Sequence, residues 1–181
     1  MLFVLNQTFS SATGKRVAAM ILLTSLSVTS LVKAADEVDE EAEKEWKEVA
    51  LQLPEAPKAS NLIDFYQSNN LSFAIDTRSV NVVTDGTVRY TLIATSSSGA
   101  KNVSYEAIRC QSYEKKLYAF GRPDGSWSRS RKNQWEVISG TNTNKQHLIL
   151  FTDYFCEGNS IAGKTDTIVD RLRGKRSLFS R

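Results

Sequence analysis

The octapeptide GNSIAGKT, Gly158 to Thr165, matches the phosphate-loop spacing G-x-x-x-x-G-K-[ST]. Such a loop binds a nucleotide when a strand delivers its backbone N–H groups and a following helix N-terminus to the phosphates, with Lys164 reaching the anion and Thr165 a magnesium ion. Locally the setting suits this, because the apolar run LILF precedes Gly158 and a helix candidate follows Thr165. Globally it does not. A phosphate-loop fold is built from alternating strands and helices around a parallel sheet, whereas this chain reads as a run of strands. Only a short segment follows Thr165, too little for another strand to bring a metal-binding acid beside the phosphates. NKQH, Asn144 to His147, lacks the final acid of a guanine-reading NKxD. Gly158 and Gly163 are therefore expected to be turn residues, with Thr165 or Asp166 capping the last helix.

Nucleophilic catalysis through a serine and a histidine would need His147, the single histidine, and no G-x-S-x-G frames a serine. In the polar NKQH stretch His147 reads as a surface residue. Asp64, Asp76, Glu106 and Asp153 show no spacing that singles out an acid and base pair, and Asp76 in FAIDTRSV reads as a bend residue. No catalytic residue and no cofactor is expected. The segment GRPDGSWSRSRKNQW is richer. It gathers Arg122, Trp127, Arg129, Arg131, Lys132 and Trp135, a mix able to stack on and pair with an anionic polymer or a partner protein. The plainer alternative is a hairpin with one buried tryptophan and a solvated basic loop.

The elements that would position these residues follow from period and turn chemistry. Trp46, Val49, Ala50 and Leu53 recur at helical spacing, and Pro54 ends the pattern. EAPKAS reads as a connector, after which the period becomes strand-like: LSFAID, SVNVV, the turn step Asp85-Gly86, then TVRYTLIA. In the last run Val88, Tyr90, Leu92 and Ala94 point one way, and Arg89, Thr91 and Ile93 the other. A DG step between alternating runs predicts a hairpin. SSSGAKN and Pro123-Asp124-Gly125 mark further turns, around VSYEAIRC and KKLYAFGR, while WEVI and HLILF complete the strand candidates. Connections this short favour antiparallel neighbours. Ile168, Val169 and Leu172 give a final helix face. The expected class is α+β, a mainly antiparallel sheet with a short helix near each end of the mature chain.

Compartment follows from the chain start. Lys15 and Arg16 precede an apolar run from Val17 to Val32, and Val32-Lys33-Ala34 has the small residues of a cleavage site, the layout of a secretory signal. The run is short for a membrane span and carries several hydroxyls, so no span is expected after cleavage. The expected organisation is a signal over 1–34, an acidic leader over 35–45, one α+β domain over 46–173 and a basic tail over 174–181. Losing Lys15, Arg16 and Lys33 brings the 23 basic residues level with the 20 acidic ones. With no net positive charge to displace counterions, nucleic acid is not an expected partner. Cys110 and Cys156 in an exported chain are most simply one disulfide. A metal site or reactive thiol are the alternatives, and a metal site needs three or four ligands.

The ordered set FAIDTRSVNVVTDGTVRYTL, GAKNVSYEAIRC, LYAFGRPDGSW and YFCEG resembles the cryptic neisserial protein-like family, uncharacterised exported proteins of proteobacterial envelopes, over most of the mature chain. More loosely, an ID-x-x-S strand, a DG turn and a later cysteine are similar to surface-adhesin protein E-like domains. The first resemblance implies a periplasmic or outer-envelope address and both cysteines as a recurrent feature, but no reaction. The function expected is therefore a non-catalytic envelope protein that binds a partner protein or an anionic envelope component. The alternative is a periplasmic enzyme or nucleotide-binding protein using GNSIAGKT.

Overall fold

The computed structural model describes residues 46–140 and 145–179. The expected signal and acidic leader lie outside the described residues, as does Asn144. The chain folds as an antiparallel meander: β1 (Leu62–Gln67), β2 (Leu71–Val82), β3 (Thr87–Ser96), β4 (Lys101–Arg109), β5 (Glu114–Gly121) and β6 (Trp127–Arg129) lie side by side in chain order. A short β7 (Glu136–Val137) also pairs with β5. The helical cap is α1 (Lys145–Ile149), widened into a π-helical segment at Leu150–Phe155, and α2 (Thr165–Arg173); between them β8 (Cys156–Glu157) and β9 (Ser160–Ile161) form a small hairpin. The α+β class and antiparallel order agree with the sequence pattern.

All three expected turns form, and Gly86 and Gly125 explain why glycine stands there. Their φ values of 80° and 82° lie in the left-handed region, which a Cβ makes costly. The alternation in β3 is also realised. Val88, Tyr90, Leu92 and Ala94 join the main core with Phe73, Ile75, Ile108, Leu150, Phe155, Ile168 and Leu172, beneath the helical cap. Tyr90 and Phe155 meet at 5.2 Å between ring centroids, joining sheet to cap. LSFAID and SVNVV are one strand, β2, interrupted by a register shift between Asp76 and Asn81.

Two expected elements take other forms. Trp46 to Leu53 forms neither helix nor strand. A helix this short is marginal on its own, and here the sheet supplies what a helix would have supplied internally. Arg89 donates to the Val49 and Ala50 carbonyls at 2.7 and 3.4 Å, and the Val49 N–H donates to Asp85 at 2.9 Å. Val49 and Ala50 face solvent, while Trp46, Glu48, Leu51 and Leu53 turn toward the sheet. The segment is thus a strap across the face opposite the cap, closing a second core with Tyr105, Ala107 and Tyr118. HLILF, expected as a strand, is helical. His147, Leu150, Phe151, Tyr154 and Phe155 are all buried, and their spacing of three, one, three and one is that of a helix face.

Cys110, just past β4, and Cys156, at β8, are disulfide-bonded with Cα atoms 5.6 Å apart and both side chains buried. The bond ties the sheet to the cap across 46 residues of chain.

Candidate functional site

The strap determines what the basic and aromatic segment becomes. Trp127 on β6 donates its indole N–H to the Pro54 carbonyl at 2.8 Å and packs beside Tyr105. Trp135 meets Trp46 edge to face at 5.7 Å, and Arg109 lies over both rings, at 4.3 Å from Trp46 and 5.1 Å from Trp135. Both tryptophans are partly buried holders of the strap. The cations separate from them. Arg122, Arg129, Arg131 and Lys132 are exposed. Lys132 pairs with Glu136, and the pKa of Asp124 is lowered first by its hydrogen bonds from Ser126 and then, to a lesser degree, by the charge of Arg122. Arg129 and Arg131 have no acidic partner within ion-pair distance among the described residues. The structure therefore spreads the six residues along β5, with Arg122 and Trp127 at its Gly121 end and Trp135 beside Arg109 and Lys116 toward the other, the rings facing inward and the cations outward.

Ionic contacts fasten the rest of the strap. Arg89 and Asp85 form a 2.7 Å pair with side chains 4% and 0% exposed. Burial opposes the Asp85 charge, but the hydroxyl and N–H of Thr87, the Val49 N–H and Arg89 outweigh it, and its pKa is lowered. Glu48 accepts from Lys116 at 2.7 Å and from the Tyr118 hydroxyl at 2.6 Å. Burial, then that bond to Glu48, raises the Tyr118 pKa.

His147, expected at the surface, is 5% exposed and lies on α1 above β4. Its Nε2 is 2.7 Å from Glu106, whose carboxylate also accepts from Ser104 at 2.6 Å and Tyr90 at 3.2 Å. Burial pushes the Glu106 pKa upward, yet the charge and hydrogen bond of His147 and the Ser104 bond prevail and hold it below the ordinary glutamate value. An ionised carboxylate only accepts, so Nε2 carries the proton of the shared bond. Nδ1 is buried and has no hydrogen-bond partner among the described residues. This cluster, an acid beside a base, has the composition of a general acid–base site. Its position is that of a strut between sheet and cap, since Tyr90 and the cap residues around it belong to the main core.

GNSIAGKT is not a phosphate cradle in shape. Gly158, with φ of 57°, makes the turn between β8 and β9, and Ala162 donates back to Phe155 at 2.8 Å. Gly163, with φ of 119°, redirects the chain into α2. Lys164 is the N-cap residue and makes no side-chain cap bond, so neither expected cap forms. The Thr165 hydroxyl instead accepts the Val82 N–H at 3.0 Å, fixing α2 to the end of β2. That bond satisfies an N–H at the end of β2, beyond the reach of β1, whose pairing with β2 ends at Leu62 and Asp76.

Asp76, expected at a bend, lies within β2, paired with Leu62 and Thr91 at the start of the β2 irregularity, and it also faces a cleft. Pro54, Lys58, Asn61, Asp76 and Arg78 line a cavity of about 300 Å³ between strap and sheet. Periodicity could not reveal it, because the strap that forms one wall comes from a distant part of the chain. Among the described residues no three His, Cys, Asp or Glu side chains converge as metal ligands would, and no helix is long and apolar enough to cross a membrane.

An antiparallel meander strapped on one face, capped by helices on the other and stapled by one disulfide is a small α+β module whose charged groups serve chiefly its own closure. The chain belongs to the CNP1-like family, whose model matches residues 41–173. It is 27% identical over 162 residues to Cryptic neisserial protein 1 of Neisseria gonorrhoeae (strain ATCC 700825 / FA 1090), covering 78% of each chain. No solved structure matches it.

Proposed function

We propose that this protein is an exported, non-catalytic component of the cell envelope, resident in the periplasm or at the outer membrane, and that it binds an anionic envelope component. The observation that carries the reading is the separation of roles in the segment from Arg122 to Trp135. Its rings are spent on holding the strap, while Arg129 and Arg131 stand exposed on the surface so stiffened, without acidic partners among the described residues. Cations held on a rigid surface lose less freedom when they meet an anion than cations on a loose tail. The buried Cys110–Cys156 bond supports export, since such bonds persist in oxidising compartments. The absorption of His147, Glu106 and Thr165 into packing supports a non-catalytic role.

Two measurements test the two halves. Intact mass without reductant, on protein recovered from the periplasmic fraction, should give a chain starting near Ala35 and lighter by the about 2 Da of one lost hydrogen pair. A full-length cytoplasmic chain with free thiols would refute export. For binding, sedimentation with phosphatidylglycerol vesicles should exceed that with phosphatidylcholine vesicles, weaken with salt, and drop several-fold in an Arg129→Ala, Arg131→Ala double variant. Equal sedimentation of the double variant and the parent removes the assignment to these arginines.

A further inference from the structure

The cleft beside Asp76 is built differently from the arginine-rich surface. Within β2 the ladder to β3 lapses between Asp76 and Asn81, and side chains repair it. Ser79 accepts the Thr91 N–H at 2.7 Å and donates to the Asp76 carbonyl at 2.7 Å, while Thr77 donates to the Asn61 carbonyl at 3.1 Å. These bonds hold an irregular stretch of backbone in a defined shape. They place Asp76, 3% exposed, on the floor of the cavity and leave Arg78 exposed at its rim.

The charges within this cavity are not matched to one another. The Asp76 carboxylate receives the Arg78 backbone N–H at 3.0 Å and no side-chain donor among the described residues. The Arg78 guanidinium forms no ion pair with it or with any other described acid. Lys58 and Glu55, on the strap side, already neutralise each other at 3.8 Å in an exposed pair. A nearly buried carboxylate and an unpaired guanidinium therefore share one cavity without pairing. Beside Asp76 in the sheet register stands Thr91, whose buried hydroxyl has no partner among the described residues. Burial raises the Asp76 pKa, and the Arg78 N–H and the more distant Arg78 charge offset this only in part.

Opposite charges held apart in one small cavity are complementary to a molecule that carries both charges close together. We infer that the cleft between strap and β2 is a binding site for a small zwitterion of the amino-acid class, its ammonium group received by Asp76 and its carboxylate by Arg78. A cavity of about 300 Å³ is at the small end for ligand sites, generally about 300–1,000 Å³, and suits a ligand of this size. Pro54 and Asn61 supply one apolar and one polar wall. The site is separate from Arg129 and Arg131, so either assignment stands or falls without the other.

The test is titration of the nitrogen-15-labelled exported chain with glycine, followed by amide chemical shifts. Saturable movement of the Asn61, Arg78 and Ser79 amides is expected, with methylammonium and acetate, each bearing one of the charges, at least tenfold weaker. Asp76→Asn, which keeps an oxygen for the Arg78 N–H, and Arg78→Ala, at an exposed position, should each weaken glycine at least tenfold, while Arg129→Ala with Arg131→Ala leaves it unchanged. Absence of saturable shifts with glycine overturns the inference. So does methylammonium binding as well as glycine, or undiminished glycine binding in Arg78→Ala.

Discussion

His147 Nε2 and Glu106 Oε2 lie 2.7 Å apart across the boundary between cap and sheet, both side chains nearly sealed from solvent. Because the folded-state pKa of Glu106 is depressed, the folded protein binds that proton less readily than the unfolded chain. The stabilisation is thus present above the ordinary glutamate range, about 4.3, and is lost as pH falls below it toward the folded value. Urea midpoints of the parent protein should fall across that acid window. Glu106→Gln should flatten this acid-side slope and lower stability at neutral pH. An unchanged slope would place the acid sensitivity in other carboxylates.

The Asp85–Arg89 pair fixes the strap through the backbone groups of Val49 and Ala50. Arg89→Ala leaves the buried Asp85 carboxylate with its Thr87 and Val49 donors but no countercharge, and frees the Val49 and Ala50 carbonyls. Breaking a buried pair from one side costs about 3–5 kcal/mol, and the loss should appear in denaturant unfolding together with greater exposure of Trp46 in fluorescence quenching. A loss below about 1 kcal/mol would mean the strap is held mainly by its tryptophans.

Removing the bridge by Cys110→Ser with Cys156→Ser should cost about 2–5 kcal/mol. The same drop in thermal midpoint is expected on reducing the parent protein, because the bond closes a loop that spans β5 to the cap. Equal midpoints with and without reductant would count against that contribution.

Thr165→Val removes the acceptor of the Val82 N–H and should destabilise by about 1–3 kcal/mol, the cost of stranding a partly buried donor. Lys164→Ala should stay within about 0.5 kcal/mol of the parent, as for other surface changes. Magnesium-ATP should shift the thermal midpoint of neither variant nor the parent. A shift that Lys164→Ala abolishes would restore GNSIAGKT as a nucleotide site.

Local signals determined much of the sheet: the glycine turns at Gly86, Gly99 and Gly125, the two-residue alternation of β3, and the antiparallel order that short connections impose. The helix face of α2 at Ile168, Val169 and Leu172 was equally legible. The cap had a signal too, in the spacing of His147, Leu150, Phe151, Tyr154 and Phe155, but a short apolar run such as HLILF supports strand and helix alike. The six residues from Arg122 to Trp135 were visible as a group, though not the inward turn of both rings.

What the sequence alone determined, then, is what depends on neighbours in the chain: turn chemistry and the faces of long strands, with two cysteines offering one simple pairing. Only the tertiary structure decided the strap, the burial of His147 and the Asp76 cleft. Each joins residues far apart in sequence, as Glu48 does with Lys116 and Glu106 with His147. Helical spacing at Trp46 to Leu53 could not compete with Arg89 and Asp85, because backbone groups settle where their hydrogen bonds are best met, and here those partners lay on the sheet.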